Sequence, residues 1–148
     1  MIDLKWEGKT TDPFQIDVSR KLIQDYSLVI GEKNPIHHDP EAAKSGGYPN
    51  IIAPLTFPII FWQHASVLWL ENHGPLLHRD QTFIYTEPIV AGRSYVCQIQ
   101  LKRIINRRNI QFLEHELFGR VESSILKDPS FRANSTLVLK ENTYAGTS

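Results

Sequence analysis

The feature that most constrains the fold is a strongly apolar run from Ile51 to Leu70. From about Thr56 to His73 the apolar residues fall on nearly every face of a helix, so the pattern predicts one long helix. Thr56 is placed to cap this helix, and Gly74-Pro75 is typical of its end. A helix that is apolar on all faces must be covered by other elements. We therefore expect the rest of the chain to wrap around it.

The same run is nearly long enough to cross a bilayer, which takes ~20 apolar residues. It is interrupted, however, by prolines and polar side chains at Pro54, Pro58, Gln63, His64 and Ser66. We therefore expect no membrane span, and we expect His64 to be a satisfied residue of the core or of a pocket. The first seven residues lack the apolar segment of a signal peptide, so no secretory leader is predicted.

The second half of the chain supplies the expected cover. Runs rich in β-forming residues occupy 83–85, 95–105, 110–118 and 133–139. In the second run, an apolar set alternates with mostly polar neighbours, as in a strand with one buried face: Tyr95, Cys97, Ile99 and Leu101. The segment 106–109 breaks this run and predicts a hairpin, because Asn tolerates turn dihedrals.

Before the apolar run, the pattern predicts a short strand over 14–18 and two helices. The first helix follows Ser19, a good N-cap, and ends at Gly31. The second starts at Asp39-Pro40 and stops at Gly46-Gly47. Helices in the first half and an antiparallel sheet in the second are typical of an α+β domain. The 148 residues fit one such domain, spanning 1–148.

Charge and cysteine content exclude several classes of function. Lys and Arg together number 16, as do Asp and Glu, so the formal net charge is zero. This balance removes the electrostatic argument for a nucleic-acid partner or an anionic membrane surface. Cys97 is the one cysteine, so no internal disulfide can form, and a reducing, cytoplasmic location is expected. Its place on the apolar face of a strand predicts a buried, inert thiol.

The loop between the two short helices, Gly31-Glu32-Lys33-Asn34-Pro35-Ile36-His37, is dense in titratable side chains. Glu32 and His37 are close in sequence on a segment broken by Pro35, which makes them candidate partners in acid–base chemistry. The alternative is a solvated loop in which His37 is hydrogen-bonded to backbone. His37, His38 and Asp39 could suggest a metal, but no second spaced group of ligands follows. No metal or other cofactor is therefore predicted.

This loop resembles the hydratase motif of MaoC-like, R-specific enoyl-thioester hydratases and dehydratases, Gly-Asp-x-Asn-Pro-(aliphatic)-His. Gly47-Tyr48, the segment 52–57 and the segment 83–92 also look like that family's continuation. The resemblance covers roughly residues 13–140. It is closest to the FAS1-type dehydratase branch, which includes non-catalytic subunits of heterodimeric dehydratases. It implies the hot-dog fold, in which an antiparallel sheet wraps a long central helix.

The resemblance also implies a reaction: reversible addition of water to the double bond of an enoyl thioester carried by CoA or an acyl carrier protein. His37 then matches the catalytic histidine and Glu32 the catalytic aspartate. Backbone N–H groups near Thr56 and Phe57 would bind the thioester oxygen. Asn34 and Pro54 would also line the substrate, although turning the loop is the role that we expect more strongly for Asn34.

Glu32 is the important departure from the family pattern. It keeps the charge of aspartate but is one methylene longer, and misplacement of a catalytic group by ~1 Å can cost ~100-fold in rate. The residue either acts as the base or marks a branch in which catalysis is weak or lost. Two rivals to the hydratase therefore remain: a non-catalytic subunit that binds the acyl chain beside a catalytic partner, and a hot-dog thioesterase.

Two expectations concern partners. Four cationic residues lie near the predicted hairpin turn: Lys102, Arg103, Arg107 and Arg108. They are either a solvated turn or, for Arg107 and Arg108 in particular, contacts for the phosphates of the carrier. A single half-wrapped unit would also leave apolar surface and strand edges exposed. We therefore expect a homodimer, or a heterodimer with another hot-dog subunit.

Overall fold

The computed structural model describes residues 1–71, 73–126 and 128–141. One five-stranded antiparallel sheet organises them, with strands in the order β1-β3-β4-β5-β2. The strands are β1 Phe14–Asp17, β2 Leu76–Tyr85, β3 Ser94–Arg107, β4 Ile110–Val121 and β5 Phe131–Lys140. The α-helices are α1 Arg20–Val29 and α2 Pro40–Ser45. Four 3₁₀-helices complete the described elements: Leu4–Trp6, Pro35–His37, Phe57–His64 and Leu68–Leu70. These elements confirm the α+β class.

The predicted helix boundaries of the first half are confirmed by their caps. The Ser19 hydroxyl accepts the N–H of Leu22 at 3.0 Å and starts α1. Gly31 follows the end of α1 with φ +73°, a left-handed conformation that favours glycine. The Asp39 carboxylate accepts the N–H of Glu41 and starts α2.

The sheet follows the predicted alternation. Tyr95, Cys97, Ile99 and Leu101 of β3 are all fully buried on one face. The predicted hairpin joins β3 to β4, and Arg108 occupies its turn with φ +55°. β2 begins at Leu76 and is longer than the predicted run 83–85. The polar stretch His78-Arg79-Asp80 interrupts the alternation of apolar and polar residues, so the sequence did not indicate the first part of this strand. β2 pairs with β5 on one side, and no strand covers its other side within the described residues. We call this side the β2 edge.

The predicted long helix from Thr56 to His73 is wrong. The segment forms two 3₁₀-helices, and Ala65 and Val67 between them are extended. Bulky β-branched and aromatic residues at 59–62 lose rotamer freedom in an α-helix. Pro58 also lacks an N–H group in the first turn. The longest described helix is instead α1, at 10 residues. No helix among the described residues is long and apolar enough to cross a membrane.

The segment 57–70 nevertheless lies on the inner face of the sheet. Phe57 and Phe61 are fully buried and pack edge-to-face, with ring centroids 5.3 Å apart. Phe61 continues onto Phe131 of β5 at 5.8 Å, and Phe131 meets Tyr95 of β3 at 6.1 Å. The apolar run is therefore anchored by a few aromatic rings, while Ile59 and Leu68 are 43% and 58% exposed.

Phe61→Ala should lower the free energy of unfolding by ~3–5 kcal/mol, because it removes a fully buried ring from a packed aromatic row. Ile59→Ala, in the same 3₁₀-helix but half exposed, is the matched control and should cost less than ~1 kcal/mol. Urea denaturation of both variants measures the difference. Equal, large losses would instead indicate a helix buried on every face.

Candidate active site

The loop after α1 is held at both ends by backbone hydrogen bonds. The N–H of Glu32 donates to the Ser27 carbonyl at 2.8 Å, just past the turn at Gly31. The Asn34 side chain accepts the N–H of Ile36 and caps the 3₁₀-helix Pro35–His37. Asn34 therefore has a clear structural role, as its position in the loop predicts.

His37 is buried, with 7% of its surface exposed. Its Nδ1 lies 2.6 Å from the Ile52 carbonyl oxygen. A carbonyl can only accept a hydrogen bond, so Nδ1 carries the proton. In the neutral ring Nε2 is then the unprotonated nitrogen, with a lone pair available to a water or a substrate proton. The backbone hydrogen bond expected for the alternative of a solvated loop is therefore present, but the ring itself is buried and held in one orientation.

Glu32 is half-buried, and its Oε1 accepts the N–H of Asn34 at 3.1 Å. Within the described residues it forms no ion pair with His37 at 4.0 Å or less. His38 approaches the same loop from the other side, and its Nε2 lies 2.7 Å from the Glu32 carbonyl oxygen. The loop thus fixes the backbone on both sides of the carboxylate.

The predicted thioester-oxygen site at Thr56 and Phe57 is a reverse turn. The Phe57 N–H donates to the Pro54 carbonyl at 3.0 Å, so this group is already occupied. The Thr56 N–H has no acceptor among the described residues. Pro54 and Phe57 are buried, and Thr56 is exposed. Of the two predicted donors, Thr56 is the one that the geometry leaves for a ligand.

Arg107 and Arg108 lie far from this site within one chain. The site is at the start of β3, because the Val90 N–H donates to the Tyr95 hydroxyl and Val90 is bridged to Ile52. Arg107 ends the same strand, roughly 40 Å further along at ~3.3 Å per residue. Both arginines are exposed at the hairpin turn. Their contact with carrier phosphates stays a prediction.

Two tyrosines that the sequence analysis did not single out hold the turn 54–57. The Tyr26 hydroxyl lies 2.5 Å from the Thr56 Oγ1, and the Tyr85 hydroxyl donates to the Leu55 carbonyl at 2.5 Å. Each is 30 residues away in sequence, so no local motif marks them. His64 is exposed and so is not a core residue, but it lines a surface cavity together with Thr11 and Trp69, which fits the pocket alternative.

His115 is a second buried histidine that the sequence analysis missed. The Trp69 indole N–H donates to its Nε2 at 2.9 Å, and its Nδ1 lies 3.2 Å from the Leu113 carbonyl oxygen. Because an indole N–H can only donate, His115 Nε2 must be unprotonated. Burial lowers the pKa of His115 from 6.5 to about 4, against a smaller opposing effect of the Leu113 carbonyl. His115 is therefore a neutral structural residue that anchors the 3₁₀-helix Leu68–Leu70.

Cys97 is fully buried, as predicted, and burial raises the pKa of its thiol to about 12. Such a thiol is not a nucleophile at neutral pH. Across the residues that the structure describes, no group of three or more His, Cys, Asp or Glu side chains is arranged to hold a metal ion.

Comparison with known proteins identifies the family to which this chain belongs. Residues 5–120 match the family described as FAS1-like, dehydratase domain region. The chain belongs to this family. It is 31% identical over 131 residues to a UPF0336 protein of Saccharopolyspora erythraea, covering 84% of this chain and 81% of that one. A UPF0336 protein of Streptomyces avermitilis is 36% identical over 100 residues, which span 62% of this chain and 65% of the relative.

Solved structures establish the hot-dog fold. The C-terminally truncated HadBC (3R-hydroxyacyl-ACP dehydratase) complex of Mycobacterium tuberculosis superposes with a TM-score of 0.74 at 20% identity, covering 90% of this chain and 96% of that one. A MaoC-like dehydratase superposes at 0.80 and 21% identity, covering 92% of this chain and 42% of that one. The implied family and fold are thus confirmed.

The pKa of His115 predicts a pH dependence of stability. The pKa is depressed in the folded protein, so the unfolded chain binds more protons between pH 6.5 and 4. The contribution of neutral His115 to the free energy of unfolding is fully present above pH 6.5 and is lost as the pH falls towards 4. The shift corresponds to ~3 kcal/mol at ~1.4 kcal/mol per pH unit.

Urea titrations at pH 7 and pH 4 test this prediction on three proteins. His115→Gln should lose ~3 kcal/mol less than the parent protein over this interval, because the titrating group is absent. His78→Gln, which alters an exposed histidine of β2, should keep the parent's full loss. A His115→Gln protein with the parent's pH dependence would contradict the assignment.

Proposed function

We propose that this protein hydrates (R)-specifically the double bond of a 2-enoyl thioester, and in reverse dehydrates a 3-hydroxyacyl thioester. The observation that carries this proposal is the orientation of His37, whose Nδ1–H is tied to the Ile52 carbonyl while Nε2 keeps its lone pair. Membership of the dehydratase-domain family and the Gly-Glu-x-Asn-Pro-Ile-His sequence of the loop support it.

The reaction needs three functions, and the proposed site supplies each. A water bound between the Glu32 carboxylate and His37 Nε2 loses a proton to this pair as its oxygen bonds to C3 of the enoyl group. The pair then returns a proton to C2, so that one water is added across the double bond. The Thr56 N–H donates to the thioester oxygen while enolate charge develops there.

The second candidate is a non-catalytic subunit that binds the acyl chain beside a catalytic partner. One observation favours it: Glu32 Oε1 is engaged by the Asn34 N–H, so half of the carboxylate is committed to holding the loop. Replacement of the family's aspartate by this longer side chain points the same way. The similarity of this fold to a chain of the HadBC complex supports this candidate.

We further propose a hot-dog partner, either a second copy of this chain or another subunit, on the β2 edge. The free backbone groups of the edge can add a strand, and Leu77 and Ile84 of β2 expose 67% and 55% of their surface. Leu55 in the turn 54–57 and Ile59 just after it are exposed as well. A partner on this surface would lie close to the turn 54–57, since Tyr85 of β2 is bonded to it.

The enzyme hypothesis predicts that His37→Ala and Glu32→Gln each lower turnover of crotonyl-CoA by ~100-fold or more without unfolding the protein. Each variant removes one of the two groups that handle the water proton. The matched control is Glu71→Gln, which alters an exposed carboxylate outside the loop and the β2 edge and should keep the parent's rate. Loss of absorbance of the enoyl thioester measures hydration, and a thiol reagent separates it from thioesterase release of free CoA.

The assay is run on this chain alone and with a co-purified hot-dog subunit. Hydration by the chain alone establishes that this chain is itself the catalyst. Hydration that needs the partner and survives His37→Ala assigns catalysis to the partner, and this chain is then the acyl-binding subunit.

The partner hypothesis predicts sedimentation as a dimer at micromolar concentration. Replacing both Leu77 and Ile84 with Lys should shift the protein towards monomer, because charge at a strand edge opposes pairing. Leu28→Lys, which charges an exposed apolar residue on α1 instead, should leave the dimer intact. If the parent protein alone sediments as a monomer, the hypothesis of a homodimer is wrong.

A further inference from the structure

The turn 54–57 has a specific backbone geometry. The Phe57 N–H donates to the Pro54 carbonyl, which makes Leu55 and Thr56 the two central residues of a reverse turn. Thr56 has φ −86° and ψ −2°, close to the values of the third position of a type I turn. In this conformation the central peptide, between Leu55 and Thr56, has one defined orientation.

The Tyr85 hydroxyl is bonded to that same peptide. It donates to the Leu55 carbonyl oxygen at 2.5 Å. A trans peptide is planar, so this carbonyl and the Thr56 N–H point in opposite directions. By fixing the carbonyl, Tyr85 therefore fixes the direction of the Thr56 N–H on the far side of the plane.

The alternative orientation of the peptide is a type II turn. It requires a φ of about +80° at the third position, which suits glycine and is unfavourable for a β-branched residue. Two effects thus stabilise the native orientation of the Leu55–Thr56 peptide. Thr56 disfavours the positive φ of the alternative turn, and the Tyr85 hydroxyl binds the Leu55 carbonyl. The second effect can be removed without altering the turn sequence.

We propose that Tyr85 is a positioning residue for the reaction, which acts by orienting and polarising the Leu55–Thr56 peptide so that the Thr56 N–H binds the thioester oxygen. This inference rests on the proposed function. A donor that is oriented before the substrate arrives needs no reorganisation as charge develops. A hydrogen bond to the carbonyl of a peptide also strengthens its N–H as a donor, because bonded dipoles polarise one another.

The surroundings of Tyr85 suit this role. The side chain is partly buried, and its ring packs against Phe131 with centroids 6.2 Å apart. Burial, with smaller contributions from the neighbouring Tyr26 and Tyr95, raises the pKa of the Tyr85 phenol well above its ordinary value. The hydroxyl therefore keeps its proton and remains a donor over the working pH range. Tyr26 differs, since its hydroxyl meets the Thr56 side chain and not the peptide.

Tyr85→Phe tests the inference because it removes only the hydroxyl. Loss of an oxyanion donor typically costs ~100-fold to 1,000-fold in kcat, so loss of its positioning should cost about tenfold, with KM changed less than about twofold. Tyr48→Phe, which removes a phenol that makes no hydrogen bond among the described residues, should leave both constants unchanged. An unchanged kcat in Tyr85→Phe overturns the proposal.

A merely structural role is separated by repeating the substitution in two backgrounds. Thr56→Ala keeps the preference for negative φ, whereas Thr56→Gly removes it and allows the peptide to flip. Tyr85→Phe should therefore lower kcat more in Thr56→Gly than in Thr56→Ala. Equal effects in both backgrounds would argue that Tyr85 does not act through this peptide.

The Thr56 amide resonance gives a readout that does not need activity. In the folded 148-residue chain its proton should shift when crotonyl-CoA binds, and Tyr85→Phe should reduce that shift. If the parent protein and its partner complex hydrate no enoyl thioester, the proposed function fails, and this titration still decides the present inference. A bound thioester that leaves the Thr56 amide unperturbed overturns it.

Discussion

The hydrogen bond between His37 Nδ1 and the Ile52 carbonyl is the interaction on which the rest of the site depends. It joins the polar loop after α1 to the segment 51–53, and the Ile52 N–H returns a bond to the Ile36 carbonyl at 3.1 Å. The same segment is bonded on its other side, where the Ala53 N–H donates to Ile89 and the Ala91 N–H to Ile51. The imidazole is therefore tied through the segment 51–53 to residues 89–91, which lead into β3.

That connection explains how a short, irregular loop can hold a chemical group in place. The loop itself contains only one 3₁₀ turn and would be mobile on its own. Its neighbours belong to the core: Ile51, Ile89 and Tyr95 have almost no exposed surface. Rigidity thus comes from the sheet and reaches the loop through main-chain groups, which side-chain substitutions in the loop leave intact.

The sequence alone predicts those structural features that depend on residues close to one another in the chain. Ser19 and Asp39 as caps, Gly31 as a helix end, and the alternation from Tyr95 to Leu101 each follow from interactions within a few positions. The loop containing Glu32 and His37 was identified in the same way, with the family resemblance assigning the roles. The hot-dog fold also came from that resemblance, since periodicity alone supported no more than an α+β domain.

Prediction failed where distant parts of the chain decide the outcome. The run 56–73 has the composition of a buried helix, but it forms two 3₁₀ pieces that pack against Phe131 of β5 and His115 of β4. Tyr26 and Tyr85 reach the turn 54–57 from 30 residues away, and such pairs leave no signature in a single sequence. The tie from Trp69 to His115, 46 residues apart, is of the same kind.

The β2 edge has a consequence for how such a protein is made in a cell. On the side of the ten-residue β2 that faces away from β5, no strand pairs with it among the described residues, and Leu77 and Ile84 of β2 are exposed. Such an edge is a template onto which another extended segment can pair. A chain synthesised in excess of whatever covers this edge would be exposed to aggregation and proteolysis. If the proposed partner covers this edge, selection should act on the ratio in which the two chains are translated, and not on the sequence of the edge alone.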